Sequence, residues 1–178
     1  MKKFLLLISF LFLSTLSFAQ FHFGIGGGGS QGVGDLSPFS NLGYSAYLEL
    51  GYNAGEKWDG ILSGHVNAFA AVPVDPSLTH VWYQVPIMAS GRYYIIGKEG
   101  TLFHPYVQGG IGGVKTYFLN IRGTGQDPEL IDDFWSFGIR GGVGATVAIF
   151  NLQLNYLYSG QYQGYTLGAV DFTVGFYF

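Results

Sequence analysis

Leu167-Gly168-Ala169-Val170-Asp171-Phe172-Thr173-Val174-Gly175-Phe176-Tyr177-Phe178 closes the chain on strict alternation. Side chains of an extended strand point alternately to its two faces, so Val170, Phe172, Val174, Phe176 and Phe178 share one face. Ala169, Asp171, Thr173, Gly175 and Tyr177 share the other. One face suits an apolar surrounding and the other a polar one. A half-buried strand of a soluble sandwich reads the same way, so the choice falls to the rest of the chain.

At the amino terminus Lys2 and Lys3 precede an apolar run from Phe4 to Phe18, interrupted by Ser9, Ser14, Thr15 and Ser17. That run is short of the ~18 to 20 residues a membrane-spanning helix needs. Ser17-Phe18-Ala19 sets small residues at both recognition positions before Gln20, the pattern of a signal peptide cut between Ala19 and Gln20. Residues 1–19 are therefore read as a cleaved export segment and residues 20–178 as one domain. The chain has no cysteine, which excludes both disulfides and lipid attachment through a cysteine after the cleavage site.

With Lys2 and Lys3 removed from the 8 basic residues, six face 11 acidic ones. No basic stripe follows a phosphate backbone, and nucleic acid is not an expected partner. Aromatics make up 18% of the chain and charged residues only 11%, alongside 29 glycines. An exported chain this apolar must place hydrophobic surface against something other than water.

Beyond Gln20 the sequence divides into eight alternating segments, 20–30, 41–52, 60–71, 82–96, 102–115, 134–145, 149–159 and 166–178. The connectors 31–40, 72–81, 116–133 and 160–165 form a longer set, and 53–59, 97–101 and 146–148 a shorter one. Alternation of short turns with long loops is the habit of an outer-membrane barrel with both chain ends in the periplasm.

The faces point the same way. Leu42, Tyr44, Ala46, Leu48 and Leu50 oppose Gly43, Ser45, Tyr47, Glu49 and Gly51. Val85, Ile87, Ala89, Tyr93 and Ile95 oppose Gln84, Pro86, Met88, Ser90, Arg92 and Tyr94. Trp135, Phe137, Ile139, Val143 and Ala145 oppose Ser136, Gly138, Arg140, Gly142 and Gly144, and Leu152, Leu154, Tyr156 and Tyr158 oppose Asn151, Gln153 and Asn155. The polar face is too rich in glycine and too poor in charge for a solvated exterior, and fits the lumen of a narrow membrane barrel. Phe21, Phe23, Tyr52, Tyr93, Phe103, Phe176 and Phe178 are expected in an outward aromatic girdle at one end, and Tyr44, Trp82, Trp135, Tyr156 and Tyr158 in one at the other. The glycine run Gly26–Gly29 is followed by no Gly-Lys-Ser/Thr and no helical pattern, so it is read as strand curvature and room for bulky neighbours rather than a phosphate loop.

Several stretches carry a resemblance to a known family: Tyr83-Gln84-Val85-Pro86-Ile87, Arg92-Tyr93-Tyr94, His104-Pro105-Tyr106-Val107-Gln108-Gly109-Gly110-Ile111-Gly112, Phe137-Gly138-Ile139-Arg140-Gly141-Gly142-Val143-Gly144, Asn151-Leu152-Gln153-Leu154-Asn155-Tyr156 and the terminal strand. Over its whole mature length the chain resembles the small outer-membrane β-barrel proteins of the OmpX and OmpA-barrel type, in particular those common in Bacteroidetes. The resemblance implies a carboxy-terminal signal at Phe172, Val174, Phe176 and Phe178 for the barrel-assembly machinery, although Gly175 stands two positions later than the family's usual glycine.

Glu49, Arg92, Arg140 and Asp171 are the charges expected inside strands, all pointing inward. Unpaired charges in a narrow lumen are costly, so the arginines are expected to bridge the two carboxylates in a closed plug. An ion path through that network is the functional alternative. Of His22, His65, His80 and His104, only Ser63-Gly64-His65-Val66-Asn67 approaches a hydrolytic arrangement, of the kind used by outer-membrane lipid A deacylases and palmitoyltransferases, and His65 is expected to face the lumen. Asp127, Glu129, Asp132 and Asp133, near Lys115 and Arg122, form an acidic connector without the spacing of a calcium loop.

The expected architecture is an eight-stranded antiparallel up-and-down transmembrane barrel whose first and last strands pair, because only closure leaves no strand edge in lipid. A soluble exported sandwich or lipocalin-like barrel is the alternative fold. The expected role is structural or interactive in the bacterial outer membrane, presenting loops outward or serving as an accessory subunit of an envelope complex. The expected partners are lipid, lipopolysaccharide, the assembly machinery and other envelope proteins, with no cofactor. A lipid-modifying enzyme and a small channel are the rival classes. No periplasmic domain is expected after the last strand.

Overall fold

The structure, a computed structural model, describes residues 20–35, 37, 40–70, 78–98, 101–122 and 128–178. The proposed signal segment and its Ala19 junction lie outside the described residues; Gln20 is exposed. The strands are β1 (Phe21–Gly34), β2 (Gly43–Asn53), β3 (Trp58–Ala70), β4 (Leu78–Tyr94), β5 (Phe103–Arg122), β6 (Glu129–Val147), β7 (Phe150–Tyr162) and β8 (Tyr165–Tyr177). They pair in sequence order, every pair antiparallel, into a closed barrel. β8 returns to β1 with Gly24 opposite Tyr177 and Gly34 opposite Leu167. Every strand edge through the middle of the wall therefore has a neighbour, which lipid demands.

Alternation decides the two surfaces. Leu48, Leu50, Leu62, Ile87, Ile111, Phe137, Ile139, Leu154, Phe172 and Val174 stand exposed on the outside, while Ser45, Glu49, Asn67, Gln84, Arg92, Asn151, Gln153, Asn155 and Thr173 are buried inside. This is a soluble barrel turned inside out, built for a hydrocarbon surrounding. On β5 the outward series Phe103, Val107, Gly109, Ile111 and Gly113 reaches Lys115 before it meets a charge. At ~3.4 Å per residue and a tilt of ~40°, Phe103 to Gly113 stands about 26 Å tall, the height of a hydrocarbon band.

The connectors differ from the sequence expectation. At the end opposite the chain termini they are 35–42, 71–77, 123–128 and 163–164, and at the terminal end 54–57, 95–102 and 148–149. The two sets do not alternate cleanly in length. Residues expected in loops continue the strand pattern instead: Thr116–Arg122 pairs with β4, Thr116–Asn120 also pairs with β6, and Glu129–Asp133 belongs to β6. A register shift at Phe118/Leu119 bulges the chain at Ile131 and bends this extension. The last connector shrinks to Gln163-Gly164, both at positive φ, the two-residue turn whose twist matches a hairpin.

Two glycine patterns shape the wall. Facing inward, Gly26 and Gly175 flank the Tyr47 ring and Gly144 lies under Tyr106, where a Cβ would collide with each ring. Facing outward, Gly60, Gly91, Gly109 and Gly141 are paired in succession across β3, β4, β5 and β6, between Tyr52 and Tyr156. They leave a furrow about 14 Å long at ~4.8 Å per strand, edged by the Trp58 ring at Gly91.

Candidate functional site in the barrel lumen

The lumen holds two zones stacked along the axis. Nearer the chain termini is a polar network. Arg92 on β4 donates through Nη2 to Glu49 Oε2 on β2 at 2.9 Å, and through Nε and Nη2 to Gln108 Oε1 on β5 at 3.1 and 2.8 Å. The Tyr177 hydroxyl on β8 accepts from Arg92 Nη1 and donates to the same Glu49 oxygen. Gln153 Nε2 donates to Glu49 Oε1 at 3.1 Å, and Asn155 Nδ2 donates both to Gln153 Oε1 and to Asp171 Oδ1, each at 3.2 Å. Asp171 is held by Arg140 Nη2 at 2.8 Å. The four charges expected inside are thus two ion pairs, Arg92–Glu49 and Arg140–Asp171, joined by the amides of Gln153 and Asn155. The Arg92 guanidinium also lies over the Tyr106 ring, 4.2 Å from its centroid.

The second zone is built around an apolar cap. Phe69, Trp82, Met88, Val114, Leu157 and Ala169 pack together on the axis, with Phe118 against them. Phe69 and Trp82 stack at 4.2 Å, and the aromatic series continues through Phe118 to Phe134 and Tyr162, themselves stacked at 4.8 Å. Trp82 was expected in the outer girdle; it is 4% exposed and points inward, because it shares the parity of Gln84 and Arg92. Leu157 likewise follows the parity of Asn155. Strict period-two counting carried one turn further would have found both. Gln84, Asn67, Thr116 and Ser159 are buried beside this cap, and Gln84 Nε2 donates to Ser159 Oγ.

At the terminal end the lumen opens into a recess of about 240 Å³ lined in part by His22, Asp59, Tyr94, Lys98, His104 and Thr146. Asp59 was missed as an interior charge because it falls in a stretch read as a turn; it is the second residue of β3 and is buried. Lys98 Nζ donates to Asp59 Oδ1 and to Asn53 Oδ1, each at 2.7 Å, and the Tyr94 hydroxyl donates to Asp59 Oδ2 at 3.0 Å.

Of the remaining candidates, Ser63, His65 and Asn67 are buried in the lumen. The His65 ring lies 5.6 Å from Tyr47, and Asn67 Oδ1 accepts from Ser45 Oγ at 2.8 Å. Asp127 lies outside the described residues, as does the side chain of His80. Asp132 accepts from Tyr162 at 2.6 Å, and Asp133 forms an ion pair with Lys115, so these carboxylates sit on β6 with partners rather than in a loop. Phe172, Val174, Phe176 and Phe178 all stand exposed on the outer wall, with Phe176 packed on Phe150 at 5.3 Å.

The architecture has close company among solved structures. Neisserial surface protein A superposes with a TM-score of 0.62 at 15% identity, covering 88% of this chain and 95% of its own. Ail, the attachment invasion locus protein of Yersinia pestis, in complex with the heparin analogue sucrose octasulfate, superposes at 0.58 with 16% identity, covering 89% of this chain and 98% of its own. A second structure of Ail superposes at 0.54 with 17% identity, covering 89% and 98%. The fold defines the class: this is a small eight-stranded barrel of the outer-membrane type. No family model and no curated protein matches the sequence.

Proposed function

We propose that the protein is a small integral protein of the bacterial outer membrane, with both termini periplasmic, whose role is interaction rather than catalysis or transport. The observation that carries this reading is the β5–β6 extension. Lys115 and Trp135 are paired at the top of the apolar band, and the hairpin runs on from there to Arg122 and Glu129. β6 pairs with β7 only from Ile139 onward, and the β7–β8 turn at 163–164 follows Tyr162, whose ring stacks on Phe134. Leu130–Asp133 therefore stand above that turn with no strand on their β7 side among the described residues. Leu130 and Ile131 are both exposed there. A strand edge held clear of the membrane offers main-chain hydrogen bonds to an extended partner.

Ser63 and His65 face the lumen and not lipid, which supports a non-catalytic role. The ion-pair network and the apolar cap, both packed inside the lumen, speak against a channel. Lipid and lipopolysaccharide would contact the outer wall, and the assembly machinery would read the Phe172–Phe178 face during biogenesis. Photo-crosslinking in intact cells tests the interaction reading. A benzoyl-phenylalanine replacing Leu130 or Ile131 is expected to capture a discrete protein partner, whereas the same probe at Leu62 on the mid-wall captures none. Equal, diffuse labelling at both levels would defeat the proposal.

A further inference from the structure

The recess at the terminal mouth belongs neither to the ion-pair network nor to the projecting hairpin, and its hydrogen-bonding account is lopsided. Asp59, its buried carboxylate, has both oxygens engaged, Oδ1 by Lys98 and Oδ2 by the Tyr94 hydroxyl. Its charge is matched by the Lys98 ammonium at 2.7 Å. Asn53 Oδ1 accepts from the same ammonium and from the Gly55 amide. Each of these acceptors already has a donor.

The donors are not all engaged. Lys98 spends two of its three N–H groups on Asn53 and Asp59, leaving one. His22 Nε2 lies 3.6 Å from Asp59 Oδ2, beside a carboxylate but too far for a hydrogen bond. His22 Nε2, His104 Nε2 and Thr146 Oγ1 are all buried without a hydrogen-bond partner among the described residues. An imidazole presents an N–H at either nitrogen and a hydroxyl rotates to suit, so all three can donate into the recess. Burying such groups unpaired costs free energy that a suitable ligand would return.

We infer that this recess is a binding site for a small oxyanion, a phosphate or carboxylate group held by Lys98, His22, His104 and Thr146. A sugar or an amine brings donors of its own and satisfies the unpartnered Lys98, His22, His104 and Thr146 groups less fully than an oxyanion does. An oxyanion brings acceptors and gains a charge-assisted bond from the Lys98 ammonium. At about 240 Å³ the space admits one such group with part of its carrier. The carrier is either a soluble molecule on the terminal side or the headgroup of a phospholipid in the adjacent leaflet. The inference is independent of the partner surface on the hairpin, which lies at the opposite end.

The test uses the mature chain refolded in a maltoside detergent, which carries no phosphate. The histidine ring resonances are followed while inorganic phosphate, acetate and a short-chain phosphatidylglycerol are titrated separately against sodium chloride of equal ionic strength. Saturating shifts of His22 and His104 are expected with at least one of the three. Lys98→Met should weaken that affinity at least tenfold, and His104→Phe should weaken it as well, both variants keeping the gel-mobility shift of a folded barrel. Saturation by phosphate or acetate assigns a soluble carrier, and saturation by the lipid alone assigns a headgroup. Shifts that stay linear with all three probes, or an affinity unchanged in the folded variants, would overturn the site.

Discussion

Arg92 and Glu49 meet across the lumen at 2.9 Å from β4 and β2, passing over the strand between them. Neither side chain has meaningful contact with solvent, so neither charge has water to fall back on. Gln108, Gln153 and Tyr177 engage most of the other lone pairs and protons, which is the condition under which a buried pair holds together. The pair thereby ties β2, β4, β5, β7 and β8 to one point.

Removing one partner strands the other. Glu49→Gln and Arg92→Met are each expected to destabilise the folded barrel by about 3 to 5 kcal/mol, the usual cost of an uncompensated buried charge. Combining Glu49→Gln with Arg92→Met should recover a substantial part of the loss, because no charge remains to desolvate. Urea unfolding in lipid vesicles, arranged as a double-mutant cycle, measures the coupling. Strictly additive losses would show that the pair does not act as a unit. Asp171→Asn is expected to cost less than Glu49→Gln. Asp171 accepts from Arg140 and Asn155 through Oδ1, whereas Oδ2 lacks a partner among the described residues.

The two kinds of glycine predict opposite signs. Gly109 lies in the outward furrow, where an added Cβ meets nothing within 4 Å. Gly109→Val should stabilise the barrel by about 0.5 to 1 kcal/mol, since a strand glycine carries an entropic cost and adds no packing. Gly26→Ala should do the reverse, by about 1 to 3 kcal/mol, because its Cβ would enter the Tyr47 ring and the Val174 carbonyl. Unfolding midpoints of the two variants decide the matter. A destabilised Gly109→Val would mean that the furrow is occupied by something the valine displaces.

Much of this fold was legible in the residues. Period-two alternation with small and polar residues opposite large apolar ones fixed the inside and outside of β2, β4, β6, β7 and β8, and with them the inward direction of Glu49, Arg92, Arg140 and Asp171. What escaped was whatever depends on where a strand stops. Asp59 and Trp58 lay in a presumed turn, yet β3 begins with them because Asn53–Asp59 and Asp59–Arg92 pair across both neighbours. Asp132 and Asp133 read as loop because acidic residues are rare in strands, yet Tyr162 and Lys115 give them partners on the extended hairpin. The Trp82 position shows the other limit. A tryptophan near a strand end suits an interfacial girdle or an interior cap equally well by composition, and only parity separates them.

That cap makes its own prediction. Trp82→Ala removes a buried ring stacked on Phe69 and should cost about 3 to 5 kcal/mol, whereas Trp135→Ala, on the outer wall, should cost clearly less. With the cap intact above the Arg92–Glu49 network, the purified protein should give no reproducible ohmic steps in a planar bilayer. Stable unitary conductance from the unmodified chain would show that the lumen opens.

Orientation can be read without disturbing the lumen, because the chain has no native cysteine to confuse a label. Ile131 is exposed on the projecting hairpin, and Ala54 is exposed in the turn between β2 and β3 at the terminal end. With the termini in the periplasm, Ile131→Cys should react with a membrane-impermeant maleimide on intact cells, and Ala54→Cys should react only after the outer membrane is permeabilised. The reverse pattern would turn the barrel over. It would put the Leu130–Asp133 edge in the periplasm and the Lys98–His104 recess at the cell surface, exchanging the compartments from which each would draw its partner.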